Sequence, residues 1–394
     1  MNDIIAKIES HSKFGIKLGL ENMTKTLAVL DNPQDKMKII HIAGTNGKGS
    51  VSSFISSSLQ AAGYSVAKYC SPYLISLEEM FVINDQSISL NDLEQYYQQI
   101  IAAATELNLE LTLYEITTTI MFLHAANSKV DYLVLEVGLG GRLDATNVCM
   151  PVASVITNIS LDHTHILGDT ITEIATEKAG IIKPGVPLFT TETNPEAVAV
   201  FRLKTSDIHI VDSHLEYELD LENFNTIVKL ADNTYKLNLF GSHQVANFAL
   251  ALAVLNHLNI SGDAIKSGVA KTVHQARLEQ LSSNIIFDGA HNRASARALV
   301  DSLSETSRPI RVIFSMLSDK DVPAVVAILQ ELSDDLVFIP LPHLERGISE
   351  EAFAKYQFSG IKIASDIDQA VADDKLNLIC GTFSLYPLVK AYLQ

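Results

Sequence analysis

Residues Gly44-Thr45-Asn46-Gly47-Lys48-Gly49-Ser50 set three glycines, a lysine and a serine directly after the apolar run Ile39-Ile40-His41-Ile42-Ala43. Glycine permits the tight turn that brings backbone N–H groups against an anion, and the helix predicted next offers its positive end. Lys48 supplies a charge, and Ser50 a hydroxyl suited to Mg²⁺. The chemistry is phosphate binding. Gly44 lies three residues before Gly47 rather than five, and Gly49 separates Lys48 from Ser50, so a generic GTPase or kinase is disfavoured. The alternative is a plain glycine-rich turn, in which the lysine and serine are coincidental.

Five further stretches carry candidate groups. In Leu135-Glu136-Val137-Gly138-Leu139-Gly140-Gly141-Arg142-Leu143-Asp144-Ala145-Thr146-Asn147 an apolar strand ends in an acid and a glycine turn. Ligands of open α/β sheets bind beyond such strand ends, so Glu136 either reaches a metal near the cradle or is a solvated strand-end residue. Leu161-Asp162-His163-Thr164-His165 follows the next strand, offering an imidazole at His163 with Asp162 behind it, although Mg²⁺ prefers oxygen ligands. His165 reads as a polar loop residue. Ser71, before Pro72, is a hydroxyl at the same edge or an ordinary turn serine. Lys178, in Glu177-Lys178-Ala179-Gly180-Ile181, closes a predicted helix, where the pattern alone reads as a surface charge. Phe287-Asp288-Gly289-Ala290-His291-Asn292 repeats the strand, acid and glycine turn in the second half and is its candidate nucleotide contact.

The elements that must position these groups alternate between short apolar runs and amphipathic segments, the pattern of parallel sheets covered by helices. Strands are predicted at 38–43, 64–70, 132–137, 153–158 and 186–190. Helices are predicted near 51–62, where Gly63 serves as terminator, and near 91–107, 115–126 and 170–179. Asn91-x-x-Glu94 resembles a capping box. Two-residue alternation between about 208 and 240 predicts a β-hairpin turning at Asp232-Asn233. Two helices follow, at about 243–258 and 262–272. The strand and helix alternation then restarts, with strands at 285–288, 310–314, 336–340, 361–364 and 376–380. The expected division is 1–279 and 280–394, joined near 275–283 without a long linker.

The chain's 394 residues suffice for two or three cores, and a formal net charge of −17 argues against broad nucleic-acid or anionic-membrane binding. Cys70, Cys149 and Cys380 are far apart and in no metal-binding spacing, which suits reduced thiols in a cytoplasm. The start, Met1-Asn2-Asp3-Ile4-Ile5, has no basic and apolar leader, and no run approaches a membrane span, so a soluble, unexported protein is expected.

The ordered set of these blocks, with Ser71-Pro72 and Gly241-Ser242-His243-Gln244-x-x-Asn247, resembles the folylpolyglutamate synthase family of the Mur ligase superfamily, many of whose bacterial members are also dihydrofolate synthases. The likeness runs from Phe14-Gly15-Ile16-Lys17-Leu18-Gly19-Leu20-Glu21 to the C-terminus. It implies an α/β fold: an N-terminal P-loop-type ATPase domain with a mainly parallel sheet and a small hairpin region, and a smaller C-terminal Rossmann-like domain. The implied activity is ATP-dependent addition of L-glutamate to dihydropteroate, to reduced folates or to both, through an acyl phosphate. By matched positions, Gly44, Thr45, Asn46, Gly47, Lys48, Gly49 and Ser50 would hold the ATP phosphates, and Ser71, Glu136 and His163 would bind Mg²⁺. Lys178 would carry a carbamate that helps hold a second Mg²⁺. Asn247, Arg277, Asp288 and His291 would meet the nucleotide, and the catalytic set is Lys48, Lys178 and His163.

Gly15 to Glu21 and Thr112-Leu113-Tyr114-Glu115-Ile116-Thr117 fall where the family holds its pterin. A monomer is expected, with small-molecule partners only. This chain departs from the family in having His274-Gln275-Ala276-Arg277 where an aromatic-Pro-Gly-Arg sequence is frequent, and Arg293 where proline is usual. Competing readings are a Mur ligase acting on a UDP-sugar and a non-catalytic ATP-binding regulator.

Overall fold

The computed structural model describes residues 3–15 and 17–394; Met1, Asn2 and Ile16, the last inside the expected pterin loop, lie outside the described residues. By internal contacts the chain forms two units, Met1–Ser213 with Ala246–Val269 and His214–Val245 with Ala270–Gln394.

The first unit is built on eight strands: β1 (Lys38–Ala43), β2 (Val66–Tyr69), β3 (Val82–Ile83), β4 (Gln86–Ser87), β5 (Tyr132–Glu136), β6 (Ala153–Ile156), β7 (Leu188–Thr190) and β8 (Ile208–Ile210). Their order is β4-β3-β2-β5-β1-β6-β7-β8. All neighbours are parallel except β2 with β3 and β3 with β4. Five of the six residues of β1 are buried, as expected of a central parallel strand covered on both faces. The register pairs Ile42 with Glu136 and Ala43 with Ile156. It therefore levels the ends of β5, β1 and β6, and the loops that follow them leave from one edge.

The helix Lys48–Ala61 ends as predicted, with Gly63 at φ +90° donating its N–H to the Gln60 carbonyl at 2.9 Å. The helix Leu90–Glu106 corrects its predicted start. Ser89, in extended backbone, accepts the Asp92 N–H at 3.1 Å, whereas Asn91 lies inside the helix.

The second unit holds the antiparallel strands β9 (Glu216–Asp220), β10 (Asn225–Leu230) and β11 (Asn233–Leu237), and a six-stranded sheet of β12 (Glu279–Ser282), β13 (Ile285–Phe287), β14 (Ile310–Phe314), β15 (Leu336–Phe338), β16 (Lys362–Ile363) and β17 (Leu376–Cys380). The sheet order is β12-β13-β17-β14-β15-β16, with only β12 antiparallel. The hairpin turns one residue earlier than predicted, at Ala231-Asp232, because Leu230 pairs with Asn233.

Contacts also redraw the single division at 279/280. Phe224 and Phe240 pack in one apolar cluster with Ile286, Leu299 and Leu303, which groups the three-stranded sheet with the later residues. Alternation shows that a strand has an apolar face; it does not say which core receives it.

Candidate functional site

The turn from β1 into the helix Lys48–Ala61 needs glycine for both conformation and space. Gly44 and Gly47 have φ of +142° and +84°, and a Cβ at either would overlap Thr157 Oγ1 or Asn247 Oδ1 respectively. Asn247 thus lies against the loop within the first unit.

Lys48 Nζ donates to the carbonyls of Gly44 at 3.1 Å and Thr45 at 3.3 Å, and stands 3.9 Å from the Glu136 carboxylate. Lys178 Nζ donates to the same Gly44 carbonyl at 2.9 Å. Only 5% of Lys178 is exposed, so its pattern reading as a surface charge is overturned. Burial, then the nearby Lys48 charge, pulls its ammonium down to about 7 against the opposing fields of Asp162 and Asp144. An amine with a large neutral fraction at neutral pH can act as a nucleophile.

Glu136 is buried at the end of β5. Tyr69 of β2 pairs with Leu135 of β5, so Cys70 follows beside Glu136, and burial, then the Glu136 carboxylate, pushes its thiol far up. His163 takes a left-handed backbone, φ +50°, before the short helix Thr164–Leu167. Asp162 accepts the His163 backbone N–H at 2.9 Å, which orders the turn, and the same carboxylate stands 4.0 Å from the ring Nε2. Among the described residues no group of three or more His, Cys, Asp or Glu is arranged to hold a metal ion.

Gly138, Gly140 and Gly141 are closely packed, against Tyr114, Leu167 and the Glu177 carbonyl respectively. The Arg142 N–H donates to the Glu177 carbonyl at 2.7 Å, and the Asn147 Nδ2 donates to the Arg142 and Gly180 carbonyls at 3.0 Å each. A Cβ at Gly180 would overlap Arg142 Cα, and one at Gly141 would lie 2.9 Å from the Glu177 carbonyl. The stretch thereby grips both sides of Lys178. Asp144 is buried and bonds the backbone N–H groups of Leu139 and Thr146, and Thr112 with Glu115 forms a capping box beneath Tyr114.

In the second unit Arg277 lies over the Phe383 ring, 4.9 Å from its centroid. Asp288 is buried and accepts the N–H groups of Leu278 and Ala290 at 2.8 Å each, so its carboxylate fastens two turns beside Arg277. Burial raises its carboxyl, and Arg277 opposes the rise. His291 Nδ1–H donates to the Gly289 carbonyl at 2.8 Å, and its ring meets Phe383 edge-on at 6.0 Å. Ala276, at φ +57°, takes the left-handed turn at the position where glycine is frequent, and Leu278 follows at φ +43°. Asn292 caps the helix Arg293–Leu303 by accepting the Ser295 N–H at 2.9 Å, so that helix starts without proline. Phe383 had no motif to mark it.

Two family models match the chain: the Mur ligase middle domain over residues 42–255, and the Mur ligase glutamate ligase domain over residues 276–379. The chain is 34% identical to a Bacillus subtilis dihydrofolate synthase/folylpolyglutamate synthase over 92% of this chain and 90% of that protein. It is 31% identical to the Escherichia coli protein of the same name, over 95% and 90%. Escherichia coli FolC in complex with ADP, without folate substrate, superposes with a TM-score of 0.87 at 30% identity, covering 99% and 97% of the chains. Escherichia coli FolC in complex with DHPP and ADP gives 0.87 at 28% identity, covering 100% and 99%. With a glycine loop, a buried lysine and a strand-end glutamate converging at one sheet edge, the chain belongs to the dihydrofolate synthase/folylpolyglutamate synthase family of ATP-dependent Mur-type ligases.

Proposed function

We propose that this protein joins L-glutamate both to dihydropteroate and to reduced folates, with the glycine loop as its ATP site. The observation that carries this reading is the meeting of Lys48 and buried Lys178 on the Gly44 carbonyl, with Glu136 beside Lys48. A carboxylate is a poor electrophile, so the γ-phosphoryl of ATP is transferred to the acceptor's carboxylate and ADP departs. The neutral glutamate amine then attacks the acyl phosphate; as the amide C–N bond forms, the C–O bond to phosphate breaks, and inorganic phosphate and the amine's proton are released. The loop N–H groups and Lys48 orient and neutralise the phosphates for the first step.

Ser71, Glu136 and His163 would hold Mg²⁺, and the buried Glu136 carboxylate with the Ser71 hydroxyl suits a hard cation. Bound Mg²⁺ would add charge neutralisation at the phosphates. Lys178, as a neutral amine, would add to CO₂ with release of a proton, and the resulting carbamate would supply oxygen donors for a second ion. Asn247, Arg277, Asp288 and His291 serve the nucleotide. Three free thiols support a cytoplasmic setting, and among the described residues no helix is long and apolar enough to cross a membrane.

Dual acceptor use is supported by the Bacillus subtilis and Escherichia coli relatives, whose names carry both activities. A 33% identical Saccharomyces cerevisiae relative is named dihydrofolate synthetase alone. Phosphate release is to be measured with ATP, Mg²⁺ and glutamate, comparing dihydropteroate with tetrahydrofolate. Release with both is expected; release with one reduces the activity to that acceptor, and release with neither overturns the ligase reading.

A further inference from the structure

The glycine loop is held from outside by the segment that follows β6. The β1 to β6 ladder continues past the strands: the Thr157 N–H donates to the Ala43 carbonyl at 3.0 Å and the Thr45 N–H to the Asn158 carbonyl at 2.8 Å. At Asn46 the pairing passes to a side chain. Asn158 Oδ1 accepts the Asn46 N–H at 3.1 Å, and Asn158 Nδ2 donates to the Asn46 carbonyl at 3.1 Å. One amide side chain thus satisfies both backbone groups of the residue before Gly47. Thr157 Oγ1 donates to the same carbonyl at 2.6 Å, and Thr45 Oγ1 exchanges hydrogen bonds with the Ser160 backbone at 3.0 and 3.2 Å.

This brace is itself anchored. Buried Glu192 accepts the Ile159 N–H at 2.6 Å through one oxygen and the Thr193 and Asn194 N–H groups at 2.9 and 2.7 Å through the other. Thr191 Oγ1 donates to the Thr157 carbonyl at 2.8 Å.

We propose that Asn158 is a positioning residue for the nucleotide: by fixing both ends of the Asn46 backbone it sets the Asn46-Gly47 peptide and aims the first N–H groups of the helix Lys48–Ala61 at the phosphates. Gly47 contributes no side chain to hold this peptide, so the loop's shape must be imposed from outside. A polar clamp on both backbone groups does so from the segment that follows β6. The inference rests on the glycine loop being the ATP site.

The test compares wild type with Asn158→Ala and the isosteric Asn158→Asp, which keeps the acceptor but loses the donor to the Asn46 carbonyl. ADP binding is measured by calorimetry with Mg²⁺, melting temperature by scanning calorimetry, and KM separately for ATP, glutamate and acceptor. Each variant is expected to weaken ADP and raise the KM for ATP by roughly tenfold or more, as expected for one or two hydrogen bonds. The KM values for glutamate and acceptor should stay within twofold. The Asp variant keeps the proposal testable should the Ala variant fail to fold. ADP binding within twofold of wild type in a folded variant overturns the proposal, as does an equal rise in all three KM values. Failure of wild type to bind ADP overturns the ATP-site reading and this inference with it.

Discussion

Lys178 shows how far a residue's surroundings can reverse its intrinsic character. A lysine closing a helix is normally solvated and charged, yet here it is buried against a carbonyl and a second lysine, which favours its neutral form. Lys178→Ala is expected to lower the ligase rate by orders of magnitude, with partial recovery in added short carboxylic acids that replace the carbamate's oxygens. Lys178→Arg should be as inactive, because a guanidinium stays charged and does not take up CO₂. Steady-state rates with and without acetate check both, and an Ala variant of wild-type rate would sink the carbamate. The strand that ends at Glu136 and the glycine turn before the helix of Lys48 were readable from the succession of residues. The brace at Asn158 and the ring of Phe383 were not, since neither lies in a segment whose pattern implies a ligand.

At the scale of elements, the second sheet carries a polar fastening at its strand starts, away from the candidate site. Asp335, just before β15, accepts from Arg311 of β14 at 2.8 Å, Lys362 of β16 at 3.0 Å and Lys375 before β17 at 2.8 Å. One carboxylate therefore joins four adjacent strands. Partial burial pushes its pKa up, but the hydrogen bonds from Lys375, Arg311 and Lys362 outweigh this and hold it well below the usual carboxylate range.

A carboxyl with a depressed folded pKa contributes stability that is fully present above its unfolded value, about 3.9, and is lost as pH falls toward the folded value. Asp335→Asn should cost about 1–3 kcal/mol at pH 7, from lost charged hydrogen bonds and three cations left facing a neutral amide. Its stability should also fall less steeply than wild type below pH 4. Urea titrations at pH 7 and pH 3.5 test this; equal losses at both would exclude the charge as the cause. The strands β1, β14 and β17 have the bounds their apolar runs predicted, because strands covered on both faces read as near-continuous apolar runs, interrupted here by His41, Arg311 and Asn377. Strands β3 and β4, of two residues each, are too short for any periodicity to mark.

For the whole molecule, a net charge of −17 means that a polyanion needs a local positive group, and the proposed ATP site offers one at Lys48. A ligand that binds only the folded state stabilises it by mass action, by about 2.7 kcal/mol at a hundredfold excess over Kd. Mg²⁺ and a non-hydrolysable ATP analogue should therefore raise the melting temperature, and Lys48→Ala should remove most of that shift. An equal shift in the variant would place the nucleotide elsewhere.

The sequence by itself determined the α/β class, the family and the order of the chemical groups along the chain. Those depend on local periodicity, on glycine where the backbone must turn, and on residue types in fixed succession. Tertiary structure alone decided that residues 214–245 join the later core, that Lys178 is buried, and that Asn158 clamps the loop. Each of these depends on which distant segment supplies the neighbour. Local pattern shows that a face is apolar or that a group is polar, whereas burial and hydrogen-bond partners are set by the segments packed against it.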